Sequence, residues 1–374
     1  MTLAAGAIAA AFALLLGTSA HNPGLEQRVL TDSLDSPVSM AVAPDGRVLV
    51  CEQGGHVRMV RAGRLLARPC FQAPTVADHE EGLLAVAFDP DFARDHWVYL
   101  LYTVAQPVRH ERLTRVTISG DTALANSEQV LFELDAHTDR THVGGALHFG
   151  EDGMLYVSTG ENGAGEQSQD LRSTHGKILR LRRDGSIPED NPFFDMLVGR
   201  HRAVYARGMR NAFSFDIQPG TGRIFVNDVG ADSVEEVNDV VAGGNYGWPI
   251  EEGSHGTGAY LPPIHTYTHR EGCAITGGAF YAARRPRLPR RWLGDYFYAD
   301  YCASEIRAIN PGAPMARRLV LRTVRAGPVD LRVAADGALL YLARGNTDVT
   351  GGPHSSRGSL VRVSTLERSR DPRH

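Results

Sequence analysis

The sequence predicts an all-β protein, a six-bladed β-propeller of four-stranded antiparallel blades, and three observations carry that expectation. Past residue 24 hardly any stretch keeps apolar residues at helical spacing for a useful length. Short β-branched and aromatic runs recur instead, at Val48–Val50, Trp97–Leu100, Met154–Val157, Arg223–Val226 and Leu339–Leu342, each bounded by Gly, Pro, Asp or Asn. One kind of turn also keeps returning: Ala43-Pro44-Asp45-Gly46, Asp89-Pro90-Asp91, Gly150-Glu151-Asp152-Gly153, Gln218-Pro219-Gly220-Thr221-Gly222 and Ala335-Asp336-Gly337, with a degenerate copy at Leu293-Gly294-Asp295. Six copies over about 340 residues give roughly 55–60 residues per unit, enough for a four-stranded blade and a loop. A sandwich of ordinary hairpins gives no reason for that regular return.

The ends of the chain differ from its body. Met1 to Ala20 is apolar and small, closing on Thr18-Ser19-Ala20, the form of a secretory signal that lacks a basic start. Residues 21–366 form the propeller domain, and the charged stretch 367–374 is a loose tail. The ring closes by pairing Ser359–Val363 with a strand near Gln27–Leu30. Four cysteines fit an exported, periplasmic or secreted protein. Locality favours Cys51 with Cys70 and Cys273 with Cys302, although sequence alone leaves three pairings open.

Composition narrows the function. A net charge of −4 gives no reason to expect nucleic acid or an anionic membrane as partner, and no mature segment reads as a membrane span. The cations are arginines apart from Lys177, a bias that reads as base composition rather than chemistry. No P-loop, dinucleotide glycine motif, G-x-S-x-G or HExxH occurs, which removes the usual support for nucleotide, serine-hydrolase and zinc-protease chemistry.

The stretch Asp135–Asn162 is the most pointed. A polar loop with His137, Asp139, Arg140 and His142 runs into Gly144-Gly145, a strand Ala146–Phe149, an acidic-glycine turn, and a strand Met154–Ser158 ending on Gly160-Glu161-Asn162. An imidazole ahead of glycines is a way to expose a titratable group beside a flat ligand that needs close backbone approach. Glu80-Glu81 precedes a wholly apolar strand, which places Glu80 at that strand's mouth. Thr174-His175-Gly176-Lys177, Gly208-Met209-Arg210-Asn211, Asn227–Asn238 and Gly243–Pro249 are equally particular.

Taken in order, E-G-L-L-x-x-A-F-x-P-D-F from Glu81, H-x-G-G-x-L-x-F from His142, H-G-K-I-L-R from His175, G-x-R-N from Gly208 and G-G-N-Y-G-W-P from Gly243 resemble the soluble glucose/sorbosone dehydrogenase family. That family includes quinoprotein aldose dehydrogenases using pyrroloquinoline quinone. The placing of Cys273 and Cys302 is similar to a subgroup that includes the propeller of hedgehog-interacting protein. The resemblance implies His142 as the general base for an anomeric hydroxyl, with hydride passing to the quinone. It implies Arg210 and Asn211 at the quinone oxygens, Glu80, Glu161 and Asn162 around the same mouth, and calcium on the carbonyls of Gly230 and Ala231. Asp228, Glu235 and Glu236 either support that calcium loop or only solvate it. Without a C-x-x-C-H haem motif, electrons leave to a separate acceptor.

Two departures stand out. Where the family presents R-x-R-D to grip cofactor carboxylates, this chain has Gly327-Pro328-Val329-Asp330, with Arg325 and Arg332 nearby. Charge-assisted hydrogen bonds worth about 1.5–3 kcal/mol each are lost with those arginines. Val229 also precedes Gly230 where a polar side chain can stand. The missing arginines and the likeness to the hedgehog-interacting subgroup motivate a second reading, a carbohydrate- or protein-binding propeller without redox chemistry. A third, a calcium-dependent lactonase, follows from the central metal that six-bladed propellers also hold, with Glu80, Glu161 and Asn211 as the inward candidates. For the enzyme, the expectation is that His142 and Arg210 meet across a planar cavity wide enough for a tricyclic ring.

Overall fold

The computed structural model describes residues 24–253, 258–345 and 357–366. The expected leader and the loose tail lie outside those residues. Six small antiparallel sheets form the ring of blades that the repeats predict. Their innermost strands are Pro37–Val42, Leu83–Phe88, Gly144–Phe149, Ala212–Ile217, Ile275–Phe280 and Pro328–Val333, each packed against the next around the axis. In the first two blades the fourth, outermost position is shared by two short strands, Arg64–Leu65 with Phe71–Gln72 and Thr122–Ala123 with Gln129–Ala136. The one α-helix among the described residues is the four-residue Phe92–Asp95.

The ring closes as expected. Leu25–Asp35 pairs antiparallel with Arg357–Thr365, with Gln27 opposite Val363 and Val29 opposite Val361. The last blade is therefore built from both terminal segments of the described chain.

All the apolar runs seen in the sequence are second strands of blades. Val48–Glu52, Leu155–Thr159, Ile224–Asp228, Tyr296–Asp300 and Leu339–Ala343 are buried at every position. Neighbouring blades cover both faces of such a strand, so it reads as continuous rather than alternating. The returning turn joins each innermost strand to that second strand. In three blades it has one hydrogen-bond pattern: the Gly46, Gly153 and Gly337 amides donate to Ala43, Gly150 and Ala334, at 2.8–3.0 Å. Those glycines hold φ of 75–89°, where a side chain would be strained.

All six such turns lie at one end of the axis, so the other end is free to carry the segments that enter the innermost strands. Between blades, clusters such as Leu84, Leu101, Leu147, Val157 and Leu179 fill the core. Each buried side chain of this kind contributes about 1.5–3 kcal/mol.

The cysteines divide. Cys273 and Cys302 are bonded, with Cα atoms 5.6 Å apart, and tie the entry to the fifth blade's innermost strand to the turn after its second strand. The expected Cys51–Cys70 bond is not made, and both are buried thiols. Val57 lies opposite Cys51, and its carbonyl accepts the Cys70 amide on the far side. A whole strand thus separates the two cysteines. Two strand spacings are about 9–10 Å, beyond what a disulfide bridges.

Candidate active site

His142, Glu161, Arg210 and Glu80 converge at the end of the axis opposite the turns. His142 has φ of 50°, the left-handed region, on the last residue but one before the third blade's innermost strand. That conformation is held from both sides. The Glu80 carboxylate accepts the His142 amide at 2.8 Å, and the His142 carbonyl accepts the Asn162 amide at 3.0 Å. Strain at one residue is tolerable when its surroundings over-determine it.

The imidazole is clamped at both nitrogens. Nδ1 makes a short contact to the Glu161 carboxylate, and Nε2 lies 3.0 Å from Arg210 Nη2. A guanidinium can only donate, so Nε2 accepts and the proton of the neutral ring sits on Nδ1, toward Glu161. Nε2 is therefore a basic lone pair aimed into the mouth. Glu161 is nearly fully buried, whereas about a quarter of the His142 side chain reaches solvent.

Arg210 is positioned by three contacts. Its amide donates to Asp228 at 3.0 Å, Nη1 donates to the Val229 carbonyl at 3.0 Å, and the guanidinium lies 5.5 Å from the Trp248 ring. The same Asp228 carboxylate takes the Asn211 amide at 2.6 Å, and Asn211 Oδ1 accepts the Gly144 amide at 3.0 Å. Burial pushes Asp228 up to about 7 against those hydrogen bonds. Glu236, its neighbour across the sheet, is likewise pushed to about 7, first by burial and then by the Asp228 charge. Burial also raises Glu80, while His142 and Arg210 pull it back.

Several sequence expectations change here. His142 and Arg210 touch directly, so no planar cavity separates them. The Gly144-Gly145 pair serves chain packing rather than approach to a ligand. A Cβ on Gly144 would lie 2.5 Å from the Gly160 nitrogen, and one on Gly145 would lie 2.8 Å from Leu84 Cβ. The Asn162 side chain faces away from the mouth. It is fully buried, with Oδ1 accepting the Thr138 and Asp139 amides at 2.6 and 3.0 Å and Nδ2 donating to the Asp139 carbonyl. It shapes the loop that leads into His142.

Lys177 is not an idle compositional remnant either. Its ammonium is buried among the carbonyls of Gln167, Ser168 and His175 at 2.6–3.1 Å, and burial lowers its pKa to about 7. Of the two arginines near the substituted R-x-R-D stretch, Arg325 pairs with Asp32 at 3.7 Å at the rim of the ring. Arg332 pairs with Asp330 at 2.7 Å in the axial channel, where Asp330 also takes the Met40 amide and so ties the last blade to the first.

Two supporting features had no readable signal. Arg344, just past the second strand of the last blade, hydrogen-bonds Gln53 Oε1. Gln53 in turn donates to the carbonyls of His79 and Glu81 at 2.7 and 2.8 Å. This brings a desolvated guanidinium into the field of Glu80. Beneath it, buried Glu81 accepts from Arg109 and, at 2.7 Å, from His137 Nδ1.

Gly230, Arg210, Trp248 and four acidic residues, Asp228, Glu236, Glu251 and Glu252, line one cavity of ≈ 10 Å³. That is about the room one water or one ion occupies. Glu252 Oε1 also accepts the Ala231 amide at 2.8 Å. Among the described residues, no three His, Cys, Asp or Glu side chains form a metal cage by themselves.

Comparison with known proteins agrees with the geometry. Aldose sugar dehydrogenase YliI of Escherichia coli (strain K12) is 30% identical over 274 residues, 68% of this chain and 72% of that protein. Quinoprotein glucose dehydrogenase B of Acinetobacter calcoaceticus is 28% identical over 62% of this chain, which spans about half (53%) of that protein. Mouse hedgehog-interacting protein is 29% identical over 51% of this chain and 31% of its own length. Among solved structures, the PQQ-bound aldose sugar dehydrogenase of Streptomyces coelicolor superposes with a TM-score of 0.73 at 27% identity, over 92% of this chain and all of that one. The pattern of the Glucose / Sorbosone dehydrogenase family matches residues 34–348, and this chain belongs to that family.

Proposed function

We propose that this protein is a quinone-dependent aldose dehydrogenase that oxidises the anomeric hydroxyl of a sugar to the lactone. The observation that carries the reading is the Glu161–His142–Arg210 arrangement, which leaves the lone pair of His142 Nε2 in the mouth. Pyrroloquinoline quinone, when bound, supplies a two-electron hydride acceptor. The chain's own residues supply the rest. His142 Nε2 takes the hydroxyl proton, and Glu161 at Nδ1 steadies the imidazolium that forms. A sugar hydroxyl donating to Nε2 would replace the Arg210 N–H there, and the freed guanidinium donor would be available to hold the quinone. Glu80 keeps the His142 backbone in place throughout.

The donor set fits the quinone at its reactive end, with Arg210 and Asn211 held by one carboxylate and Trp248 beside them. Its grip on the cofactor's carboxylates differs from the family pattern, and Arg344 is the cation we assign to that duty. Calcium is supported by the donor chemistry, since the ion-sized cavity at Gly230 offers hard oxygens and no sulfur or imidazole. The Cys273–Cys302 disulfide supports export to the periplasm or beyond. No helix among the described residues is long and apolar enough to cross a membrane.

A second reading, a binding propeller without redox chemistry, is favoured by one observation. Gly327 and Val329 stand where the family pattern places its two cofactor-gripping arginines, and neither residue carries a charge. Reconstitution with pyrroloquinoline quinone and calcium, followed by dye reduction with a panel of aldoses, decides between the two. Sugar-dependent reduction that His142→Ala abolishes supports the enzyme. Sugar binding by calorimetry that His142→Ala leaves unchanged, with no reduction by any aldose, supports the binder.

A further inference from the structure

A wide groove lies apart from the mouth that holds His142. It has a volume of ≈ 1010 Å³ and opens at the other end of the axis, where the turns of the sixth and first blades meet the loop after Phe280. Its floor is apolar, with Leu30, Val42, Val48 and Leu340. Its rim is arginine: Arg28, Arg284, Arg285, Arg287 and Arg290 are all exposed.

Two acids also line it, and each is already engaged. Asp45 is held by Arg47 at 2.6 Å, and Asp336 takes two hydrogen bonds from Arg362 at 2.9 and 2.5 Å. Arg28 lies directly opposite Arg362 across the strand pair that closes the ring. Asp336 already balances the Arg362 charge, which leaves Arg28 as the cation of that pair facing the groove. The chain as a whole carries a net charge of −4, so the patch runs against its overall sign.

The arginine loop is built rather than loose. The Arg287 amide donates to the Gly337 carbonyl at 3.1 Å, and the Arg287 carbonyl accepts the Thr365 amide at 2.7 Å. Tyr281 Oη donates to the Gly337 carbonyl and accepts the Leu288 amide. Pro286 and Pro289 stiffen it further.

We propose that this groove is a docking site for an extended acidic peptide segment of a partner protein, one that alternates carboxylates with apolar side chains. Guanidinium forks match carboxylates bidentately, and the aliphatic floor takes the side chains between them. The concave shape does not suit a flat bilayer. Among the described residues, no aromatic side chain lines the groove to stack nucleic-acid bases. A peptide seated there touches both chain ends through Arg28 and Arg362 and stabilises ring closure by mass action.

Fluorescence polarisation with a labelled twelve-residue Glu-Leu repeat tests this on the full chain. Binding is expected at low salt, weakening at 0.5 M NaCl, with at least tenfold loss in the triple variant Arg28→Ala/Arg284→Ala/Arg285→Ala. A Glu-Ser repeat is expected to bind at least tenfold more weakly, and the peptide to raise Tm. Should the triple variant melt early, Arg284→Ala alone, on an exposed loop, serves in its place. The proposal is overturned if the Glu-Leu peptide does not bind at millimolar concentration or binds both variants as well as the parent. Equal binding of the Glu-Ser repeat overturns it too. So does tighter arginine-dependent binding of a sulfated oligosaccharide, oligothymidylate or phosphatidylglycerol vesicles. Dye reduction is read separately and bears only on the other site.

Discussion

Arg210 Nη2 lies 3.0 Å from His142 Nε2, and this contact fixes the protonation of the imidazole. Because arginine cannot accept, Nε2 is unprotonated and the ring is a ready base with Glu161 behind it. Replacing His142 by Asn keeps a polar group of similar reach and removes the base. We expect kcat for aldose oxidation to fall by about 10²–10⁴, the usual worth of a positioned general base, with Tm little changed. Glu161→Gln leaves the ring in place but offers no negative charge to the imidazolium. Its kcat for aldose oxidation should fall, because the positive charge the ring gains on taking the proton is no longer offset; an unaltered kcat would show that Glu161 is mere packing.

Arg344 gives a separate test of cofactor grip. Its guanidinium reaches the mouth through Gln53, away from the His142 nitrogens. Arg344→Ala removes one charge-assisted donor set, about 1.5–3 kcal/mol, so quinone affinity measured by absorbance titration should weaken on the order of tenfold to a hundredfold. The pH dependence of the loaded enzyme should stay as it was. Unchanged cofactor affinity would remove Arg344 from this role.

The fold was legible because a propeller repeats its most apolar strand and its tightest turn once per blade. The second strands are covered on both faces and the turn glycines need positive φ, so both leave strong local marks. His142, Arg210 and Glu80 were legible through the motifs around them. Arg344 and the Glu81–His137 pair were not, since each acts through a partner far away in the chain and no local spacing records it. Gly144, Gly145 and Asn162 were misread for a related reason. Glycine next to a histidine looks the same in sequence whether it admits a ligand or a neighbouring strand, and only the closeness of Leu84 and Gly160 decides.

The cysteines make a countable prediction. Native protein should show no thiol reactive toward a disulfide reagent, because Cys51 and Cys70 are buried at 0% and 2% exposure. Burial also raises both thiols, Cys70 to about 12, so little thiolate forms. Unfolding without reductant should reveal two. Finding none would mean that Cys51 and Cys70 are bonded after all. Breaking Cys273–Cys302, 29 residues apart, by a double Ser substitution should cost about 3–4 kcal/mol from the freed loop in the unfolded chain.

His137 contributes a pH-dependent share of stability. Burial alone would lower its pKa, but the Glu111 and Glu81 carboxylates outweigh it and raise the imidazole from 6.5 to about 9. The folded state therefore holds a proton that the unfolded chain releases near 6.5. The contribution is complete below pH 6.5 and disappears as pH rises through 9, because over that window the folded form binds more protons than the unfolded one. The full difference is worth about 3 kcal/mol. Lys177, lowered by burial to about 7, drifts stability the other way over the same window in both proteins, so the difference between parent and variant is the readout. His137→Gln should be less stable than the parent at pH 6, and that difference should shrink as pH rises from 6.5 to 9. Parallel Tm–pH curves for the two proteins would show that the Glu81–His137 pair carries no net proton. Because Glu81 adjoins Glu80, which holds the His142 amide, the same variant should also weaken aldose turnover through the backbone it supports, and do so more at pH 6 than at pH 9.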